Sequence, residues 1–299
     1  MFPGGLLVAF IEVAVEAFAC YREVCPNLPA RSTNNAATRR NKMAGGTHRI
    51  KYSSGRMVNI TIPVFNEEQQ LADHVLKLHS FLTARRFHDF ELVVAENGST
   101  DRTGKIADEL AAAYPQVFAV HLELPGRGRA IKTVWRNSQA ALLSYMDVDL
   151  SADLDAFPAM IASLESSSCD IVVGSRLLNR ETTKRSLKRE IMSRGYNALI
   201  KALFRTKFSD SQCGFKAITS AAARRLIPLL EDEGWFMDTE LLVIAEKLGY
   251  RILDQPVTWV DDPDTRVRLW STVAHDIRGL IRLRRNLPAI LNRAYHEAA

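Results

Sequence analysis

The stretch Ser144-Tyr145-Met146-Asp147-Val148-Asp149-Leu150 ends an apolar run in two carboxylates that stand two residues apart. Carboxylates are rarely buried unless a partner neutralises them. One interpretation is an ordinary strand end with solvated acids, because a D-x-D pattern is short and common. The other is that the two acids hold a divalent cation that also binds a phosphorylated ligand. The choice depends on what the neighbouring strands carry at their ends.

Strand and helix patterns alternate on both sides of this stretch. Strands are predicted at 58–64, 90–95, 117–120 and 170–174, with helical spacing of apolar residues between them. This order predicts an α/β fold with a mostly parallel sheet and helices on both faces. Ligands bind such sheets at the carboxyl ends of the strands. The polar stretches 63–67, 96–101, 147–151 and 174–176 all fall there, which predicts one shared site.

Several common classes of site are excluded by motifs that the sequence lacks. No G-x-G-x-x-G follows the first strand and no P-loop Lys-Ser/Thr is present, which argues against a dinucleotide oxidoreductase and a P-loop NTPase. The four cysteines have neither metal-ligand spacing nor the pattern of a disulfide framework. A reducing cytoplasm is the simpler interpretation.

The charge distribution indicates an anionic partner. The formal net charge is +5, and residues 176–207 carry ten Lys or Arg against two Glu, with apolar residues at helical spacing. Residues 273–287 repeat this design. Two basic amphipathic helices favour contact with an anionic membrane surface. The alternative is a pair of charged helices that pack on their own domain. Nucleic-acid binding, the non-enzymatic alternative, has no helix-turn-helix, zinc-finger or RNP pattern to support it.

The first 56 residues are predicted to be an extension of the globular part. Residues 2–19 are apolar but contain Glu12 and Glu16 and lack a basic start, so they fit neither a membrane span nor a signal peptide. They fit a surface helix or a weak anchor, or a translated stretch upstream of a later start at Met43 or Met57. Residues 26–56 are polar and basic, which predicts a disordered linker.

Six motifs in this order resemble the inverting glycosyltransferases of family 2, which have the GT-A fold. The motifs are Pro63-Val64-Phe65-Asn66-Glu67, Glu96-Asn97-Gly98-Ser99-Thr100-Asp101, Gly126-Arg127-Gly128, Asp147-Val148-Asp149-Leu150-Ser151, Gly174-Ser175-Arg176 and Gln212-Cys213-Gly214-Phe215-Lys216. Within the family the chain is most similar to the dolichyl- and polyprenyl-phosphate mannosyl- and glucosyltransferases. The resemblance covers about 58–285. It implies a GT-A catalytic domain at 57–260 and, at 261–299, a donor-side loop followed by an amphipathic helix.

The resemblance implies a nucleotide-sugar donor and a divalent metal. The donor-binding residues would be Pro63, Phe65, Glu67, Glu96, Asn97, Arg127, Lys132 and Arg266. Glu96 stands where the family usually has Asp, so the donor stays open between GDP-mannose and UDP-glucose. Lys132 has a second interpretation, as part of a solvated helix face. Asp147 and Asp149, with Ser151 as a further candidate, would bind Mg²⁺ or Mn²⁺.

On the acceptor side, the resemblance implies that Arg176, Arg189 and Ser193 cradle a lipid phosphate. Asp238 is at a region where relatives with hydroxyl acceptors carry a base. Here it is expected to order the acceptor loop, to approach the metal or to serve only the structure. A phosphate acceptor is mostly dianionic at neutral pH, so it attacks without a strong general base.

The expected function is transfer of mannose or glucose from a nucleotide sugar to a polyprenyl or dolichyl phosphate, with inversion and metal assistance. The enzyme is expected at the cytoplasmic face of a membrane, attached peripherally or through a separate membrane protein. The alternative within the same fold is a soluble acceptor or a glycan hydroxyl. Nucleic acid is not expected as a partner.

Overall fold

The computed structural model describes residues 57–85, 87, 89–178, 183–184, 187–260 and 269–296. The first half of the described chain contains β1 (Val58–Val64), α1 (Leu71–Ala84), β2 (Phe90–Asn97), α2 (Thr103–Ala113), β3 (Val117–Leu122), α3 (Arg127–Asn137), β4 (Leu142–Met146) and α4 (Phe157–Glu165). The second half contains β5 (Ile171–Ser175), β6 (Thr183–Lys184), α5 (Leu187–Phe204), β7 (Phe215–Thr219), α6 (Ser220–Leu226), α7 (Met237–Lys247), β8 (Ile252–Pro256), β9 (Trp259–Val260) and α8 (Leu269–His296). The predicted extension at 1–56 and Arg266 lie outside the described residues.

Seven strands form one sheet in the order β3-β2-β1-β4-β7-β5-β8. The pairs β1 with β2, β1 with β4, β2 with β3 and β5 with β8 are parallel, which confirms the predicted mostly parallel sheet. The exception is β7, which lies between β4 and β5 and runs antiparallel to both. Met146 at the end of β4 therefore pairs with Phe215 at the start of β7. The residues that precede β7 are thereby brought to the edge where the parallel strands end.

Helices cover both faces of the sheet, as the alternating pattern predicts. On one face, α1 buries Leu71, Val75, Leu78 and Leu82 in a core with side chains from α2 and α4. On the other face, a second core joins side chains of α3, α5, α6, α7 and α8. Complete burial of a leucine or valine side chain stabilises a fold by about 1.5–3 kcal/mol. The sheet is consequently held rigid between two apolar layers, and its strand ends have fixed positions.

The two basic amphipathic helices turn their apolar faces inward. Ile200 and Phe204 of α5 and Leu280, Leu283, Leu287 and Ile290 of α8 are buried in the same core. Ile191 on α5 and Ile281 on α8 stay exposed. The charged faces thus point outward from helices that pack on their own domain, while contact with a membrane surface stays a prediction. Within the described ranges, no helix has the length and apolar character needed to cross a bilayer.

Candidate functional site

The first carboxylate of the D-x-D stretch is paired with an arginine from the basic turn. Arg127, the first residue of α3, donates from Nε and Nη2 to Asp147 Oδ1 at 3.0 and 2.8 Å. Its guanidinium lies between two aromatic rings, with Cζ 4.7 Å from the centre of Tyr145 and 4.8 Å from that of Trp235. The guanidinium is buried and the Asp147 side chain is only 25% exposed. Asp147 is therefore not the solvated strand end of the first interpretation.

The same arginine reaches a second, deeper carboxylate. Arg127 Nη1 donates to Asp238 Oδ2 at 2.7 Å, and the Tyr145 hydroxyl donates to Asp238 Oδ1. Lys216 Nζ lies 3.2 Å from Asp238 Oδ1 and donates to Tyr145 Oη at 3.0 Å. Burial works to raise the pKa of Asp238, but the charges of Lys216 and Arg127 outweigh it, and the net pKa lies below the ordinary value. Asp238 is thus an ionised carboxylate whose two oxygens already accept hydrogen bonds.

Gly214, directly before β7, is fitted against the Asp147 carboxylate. The Asp147 amide donates to Gly214 O at 3.0 Å. A Cβ at residue 214 would lie 1.7 Å from Asp147 Oδ2 and 2.3 Å from its Cγ. A side chain at residue 214 would therefore displace the Asp147 carboxylate, whereas the backbone conformation there does not itself require glycine.

Asp147, Asp149 and Ser151 line one pocket at the end of β4. Asp149 Oδ1 accepts the Ser151 amide at 2.9 Å, with Leu150 between them at a positive φ of 48°. The pocket is completed by Met146, Leu150, Ala152, Gly214, Phe215 and Trp259. The structure therefore brings the three predicted metal-binding residues to one cavity.

Asn97, at the end of β2, ties the basic turn to the sheet. Its Nδ2 donates to Val64 O at 2.7 Å, and its Oδ1 accepts the Gly126 amide at 3.0 Å. Gly126 has φ of 153°, and a Cβ there would meet Glu233 O at 2.7 Å. Asn97 thus sets the position of the turn that begins α3, and Arg127 in this turn contacts Asp147.

Glu96 and its neighbours form the edge predicted for the nucleotide base. Glu96 Oε1 accepts the Ser99 amide, and Glu96 Oε2 lies 3.2 Å from His121 Nδ1. His121 Nε2 in turn lies 2.9 Å from Asp108 Oδ1. Burial lowers the pKa of His121, but the two carboxylates raise it by more, so the net pKa is raised. Glu96 is therefore engaged in shaping its own loop.

The residues after β1 form the other side of this edge. Pro63 is buried in β1, whereas Phe65 is 45% exposed. The Glu67 amide donates to Thr103 Oγ1 at 2.7 Å, and Glu67 Oε2 accepts Gln70 Nε2 at 2.6 Å. Among these residues, Phe65 alone is exposed.

Lys132 is buried and paired with an acid, and its contact with a donor diphosphate stays a prediction. Its ammonium donates to Glu233 Oε1 at 2.6 Å and to Leu230 O at 3.4 Å, and its side chain is buried. Arg129 Nε donates to Glu233 Oε2 at 3.1 Å. The prediction of a solvated helix face is therefore wrong for Lys132, and in this structure its charge is matched by an acid.

Arg176, predicted to bind the acceptor phosphate, forms a two-point contact with Asp210. Its Nε and Nη2 donate to Asp210 Oδ2 and Oδ1 at 2.7 and 2.9 Å, and Trp259 covers the guanidinium at 4.9 Å. Both members of the pair are buried. Arg189 and Ser193 are half-buried on α5. The roles of all three in acceptor binding stay predictions.

Four residues of the site were not among the sequence candidates: Tyr145, Lys216, Glu233 and Trp235. Lys216 left the clearest signal, because a lysine within Phe215-Lys216-Ala217-Ile218 belongs to a strand that is otherwise apolar. A buried lysine needs a carboxylate partner, which here is Asp238. Tyr145 gave no such signal, because aromatic residues are ordinary in strands.

Comparisons with known proteins agree with this architecture. A sequence model of the family described as Glycosyl transferase family 2 matches residues 59–227. The glycosyltransferase AglD of Haloferax volcanii is 35% identical over 233 residues, which are 76% of this chain and 36% of AglD. The dolichyl-phosphate beta-glucosyltransferase ALG5D of Trichomonas vaginalis is 30% identical over 223 residues, 71% of this chain and 68% of that protein. The chain thus spans about a third of AglD and two thirds of ALG5D.

Solved structures give the same result for the fold. A crystal structure of glucosyl-3-phosphoglycerate synthase from Mycobacterium tuberculosis has a TM-score of 0.59 at 19% identity, covering 77% of this chain and 81% of that chain. The complex of that enzyme with Mn²⁺, uridine diphosphate and phosphoglyceric acid has a TM-score of 0.55, also at 19% identity, with 76% of each chain covered. At this identity the likeness concerns the fold alone, and it confirms the predicted GT-A fold.

Proposed function

Because the chain belongs to glycosyl transferase family 2, we propose that it transfers glucose from a nucleotide sugar, with inversion, to the phosphate of a polyprenyl or dolichyl lipid. As a member of this family the chain is a glycosyltransferase. The relatives named dolichyl-phosphate beta-glucosyltransferase support the lipid phosphate and favour glucose over mannose. UDP in a structural neighbour supports UDP-glucose over GDP-mannose as the donor.

The observation that carries the choice of acceptor is the state of Asp238. A hydroxyl acceptor needs a base that takes its proton, and such a base works best with a pKa near the operating pH. Asp238 is 2% exposed, its pKa is lowered, and Tyr145, Lys216 and Arg127 occupy its oxygens. A phosphate acceptor requires no such base, because it is already charged. The site therefore favours phosphate over a glycan hydroxyl.

The oxygen atoms at the end of β4 fit a hard divalent cation. Carboxylate and hydroxyl oxygens are ligands that Mg²⁺ and Mn²⁺ accept, and Asp147, Asp149 and Ser151 line one pocket. No group of three or more His, Cys, Asp or Glu able to hold a metal occurs in the described part of the chain. The protein would thus supply part of the coordination, and the donor diphosphate the rest. When bound, Mg²⁺ or Mn²⁺ supplies Lewis-acid stabilisation of the leaving nucleoside diphosphate.

Side chains of this protein would stabilise the leaving diphosphate and position the acceptor phosphate. Arg127 places a buried positive charge beside Asp147, where it stabilises the negative charge that develops on the leaving diphosphate. The Asn97 contact with Gly126 fixes the turn that carries Arg127. The acceptor phosphate would be positioned in line by two guanidinium groups and a hydroxyl, for which Arg176, Arg189 and Ser193 are the candidates. Positioning and charge neutralisation are all that a dianionic nucleophile needs.

We place the enzyme at the cytoplasmic face of a membrane, attached peripherally or through a membrane-protein partner. The outward faces of α5 and α8 support this placement, since Arg278, Arg285 and Arg293 are exposed on α8. Leu280, Leu283 and Leu287 of the same helix are buried. Attachment would then depend on charge more than on apolar insertion, and would weaken at high salt.

The experiment is a donor panel with one polyprenyl phosphate. Labelled UDP-glucose or GDP-mannose is incubated with enzyme, Mg²⁺ or Mn²⁺ and the lipid, and the product is extracted into butanol. We expect metal-dependent label in butanol from UDP-glucose. Label from GDP-mannose would correct the donor, and label that stays in the aqueous phase would refute the lipid acceptor. The matched control is the Asp147→Asn, Asp149→Asn double variant, which should fold but not transfer.

A further inference from the structure

The segment that delivers Gly214 to Asp147 is held at four consecutive residues by four different partners. Asp210 is held by Arg176, the Ser211 amide by Asn197 Oδ1 at 2.9 Å, Gln212 Nε2 by Asp276 Oδ2 at 2.6 Å, and Cys213 O by Lys216 Nζ at 2.7 Å. Three of these partners lie within residues 176–216 of the chain, and the remaining one, Asp276, belongs to α8.

Burial of the Asp276 carboxylate costs free energy. It is 4% exposed, Oδ2 accepts Gln212, and Oδ1 has no hydrogen-bond partner among the residues that the structure describes. Burial raises its pKa to about 6. The desolvation of a half-satisfied buried carboxylate offsets what its one hydrogen bond contributes, so leucine or asparagine in its place should change the stability of the fold little. A costly group next to a functional segment points to a role other than stability.

We propose that Asp276 is a positioning residue, which together with Gln212 fixes the backbone that seats Gly214 against the Asp147 carboxylate. The 2.6 Å contact is charge-assisted and therefore strong. It lies two residues before Gly214, whose carbonyl accepts the Asp147 amide. The inference rests on the proposed role of Asp147 in the transfer reaction.

The helix α8 also contacts a second loop, which contains Asp232 and Glu233. His275 Nε2 and Arg282 Nη2 each lie 3.1 Å from Asp232 Oδ2. The next residue, Glu233, accepts the Arg129 amide at 3.0 Å and so fixes the turn of Arg127. Loss of the Asp276 contact should leave this second attachment in place. The helix α8 should then keep its position, while the segment that contains Gly214 becomes less rigidly held.

The test uses Asp276→Leu, Gln212→Met, the double variant and Asp276→Asn. We expect each single apolar variant to lower kcat about tenfold, because each removes the same charge-assisted contact. The double variant should be no worse than either single one, since the two residues share one interaction. Asp276→Asn should recover most of the loss, because an amide oxygen still accepts from Gln212. The Tm of Asp276→Leu should stay close to that of the wild type, because the lost hydrogen bond is offset by removal of a buried charge.

The outcomes separate positioning from packing. Wild-type kcat in Asp276→Leu would overturn the proposal, as would additive losses in the double variant together with a lowered Tm. Asn286→Leu is the control, because Asn286 lies on the same helix and contacts only exposed Glu231 in its described hydrogen bonds.

A second readout keeps this test independent of the proposed function. If the wild type transfers no sugar, the proposed function fails. The pair is then judged by Mn²⁺ binding in the presence of UDP, measured by electron paramagnetic resonance. A Kd about tenfold weaker in Asp276→Leu supports positioning of Asp147, and an unchanged Kd overturns it.

Discussion

Replacement of Gly214 by alanine tests the site at its tightest point. The added methyl group would stand 1.7 Å from Asp147 Oδ2, about 2 Å closer than ordinary contact between carbon and oxygen. Asp147 cannot rotate away freely, because Arg127 holds Oδ1 by two hydrogen bonds. The backbone cannot yield freely either, because the Asp147 amide is bonded to Gly214 O. The carboxylate must therefore move by an ångström or more.

The size of the effect follows from that displacement. Overpacking of a well-packed site costs about 1–3 kcal/mol of unfolding free energy. A misplacement of about 1 Å in a catalytic constellation lowers the rate about 10²-fold. We therefore expect Gly214→Ala to remain folded, with a lower Tm, and to lose about two orders of magnitude in kcat.

The assay combines turnover with a direct view of the carboxylate. Transfer from UDP-glucose is measured across a Mn²⁺ titration, and Mn²⁺ binding in the presence of UDP is followed by electron paramagnetic resonance. Gly195→Ala is the control, because Gly195 is exposed on α5 and a Cβ there meets nothing within 4 Å. That variant should keep its turnover and gain up to about 1 kcal/mol in stability. Wild-type turnover and Mn²⁺ affinity in Gly214→Ala would refute the reasoning.

Three further predictions concern ion-paired side chains. Asp210→Asn leaves the Arg176 guanidinium buried without its counterion, so urea unfolding should show a loss of about 3–5 kcal/mol. Asp238→Asn should lower Tm and kcat but leave the shape of the pH–rate profile unchanged, and loss of its acidic limb would instead identify Asp238 as a base. Because the pKa of His121 is higher in the folded state, its protonation stabilises the fold at pH values below the unfolded pKa of 6.5. This stabilisation is lost as the pH rises through the folded pKa. The Tm advantage of the wild type over His121→Gln should therefore shrink from about pH 6 to about pH 8, and an advantage independent of pH would contradict the ion pair.

The order of strands and helices could be predicted from sequence because it is a local property. The apolar spacing of Leu71, Val75, Leu78 and Leu82 is visible within one window, and these four side chains are all buried. The antiparallel strand β7 could not be predicted in the same way. A five-residue apolar strand carries no sign of its direction, and only its pairing with both β4 and β5 reveals it.

The edge of the sheet at which these residues lie could be predicted for a related reason, whereas the hydrogen bonds between them could not. Carboxyl ends of parallel strands share one edge, so Asn97 and Asp147 were expected at the same edge. The hydrogen bond from Arg127 to Asp238 joins residues 111 positions apart, and that from Lys132 to Glu233 joins residues 101 apart. No periodicity or motif spacing reports such contacts, because they depend on how whole elements pack.

Arg127 and Arg176 were both predicted from sequence to bind ligands, and the structure shows which acids they contact. A buried guanidinium or ammonium needs a counterion whether or not a ligand is present, so pairing with an acid does not by itself separate a binding residue from a structural one. The two arginines differ in the position of their partners. Arg127 pairs with Asp147, which lines the pocket, so its charge lies beside the pocket. Arg176 pairs at two points with Asp210, which is fully buried, and this contact anchors the segment that leads to Gly214. Arg127 therefore pairs with an acid that lines the pocket and Arg176 with an acid that is fully buried, and the ligand-binding roles of both stay predictions.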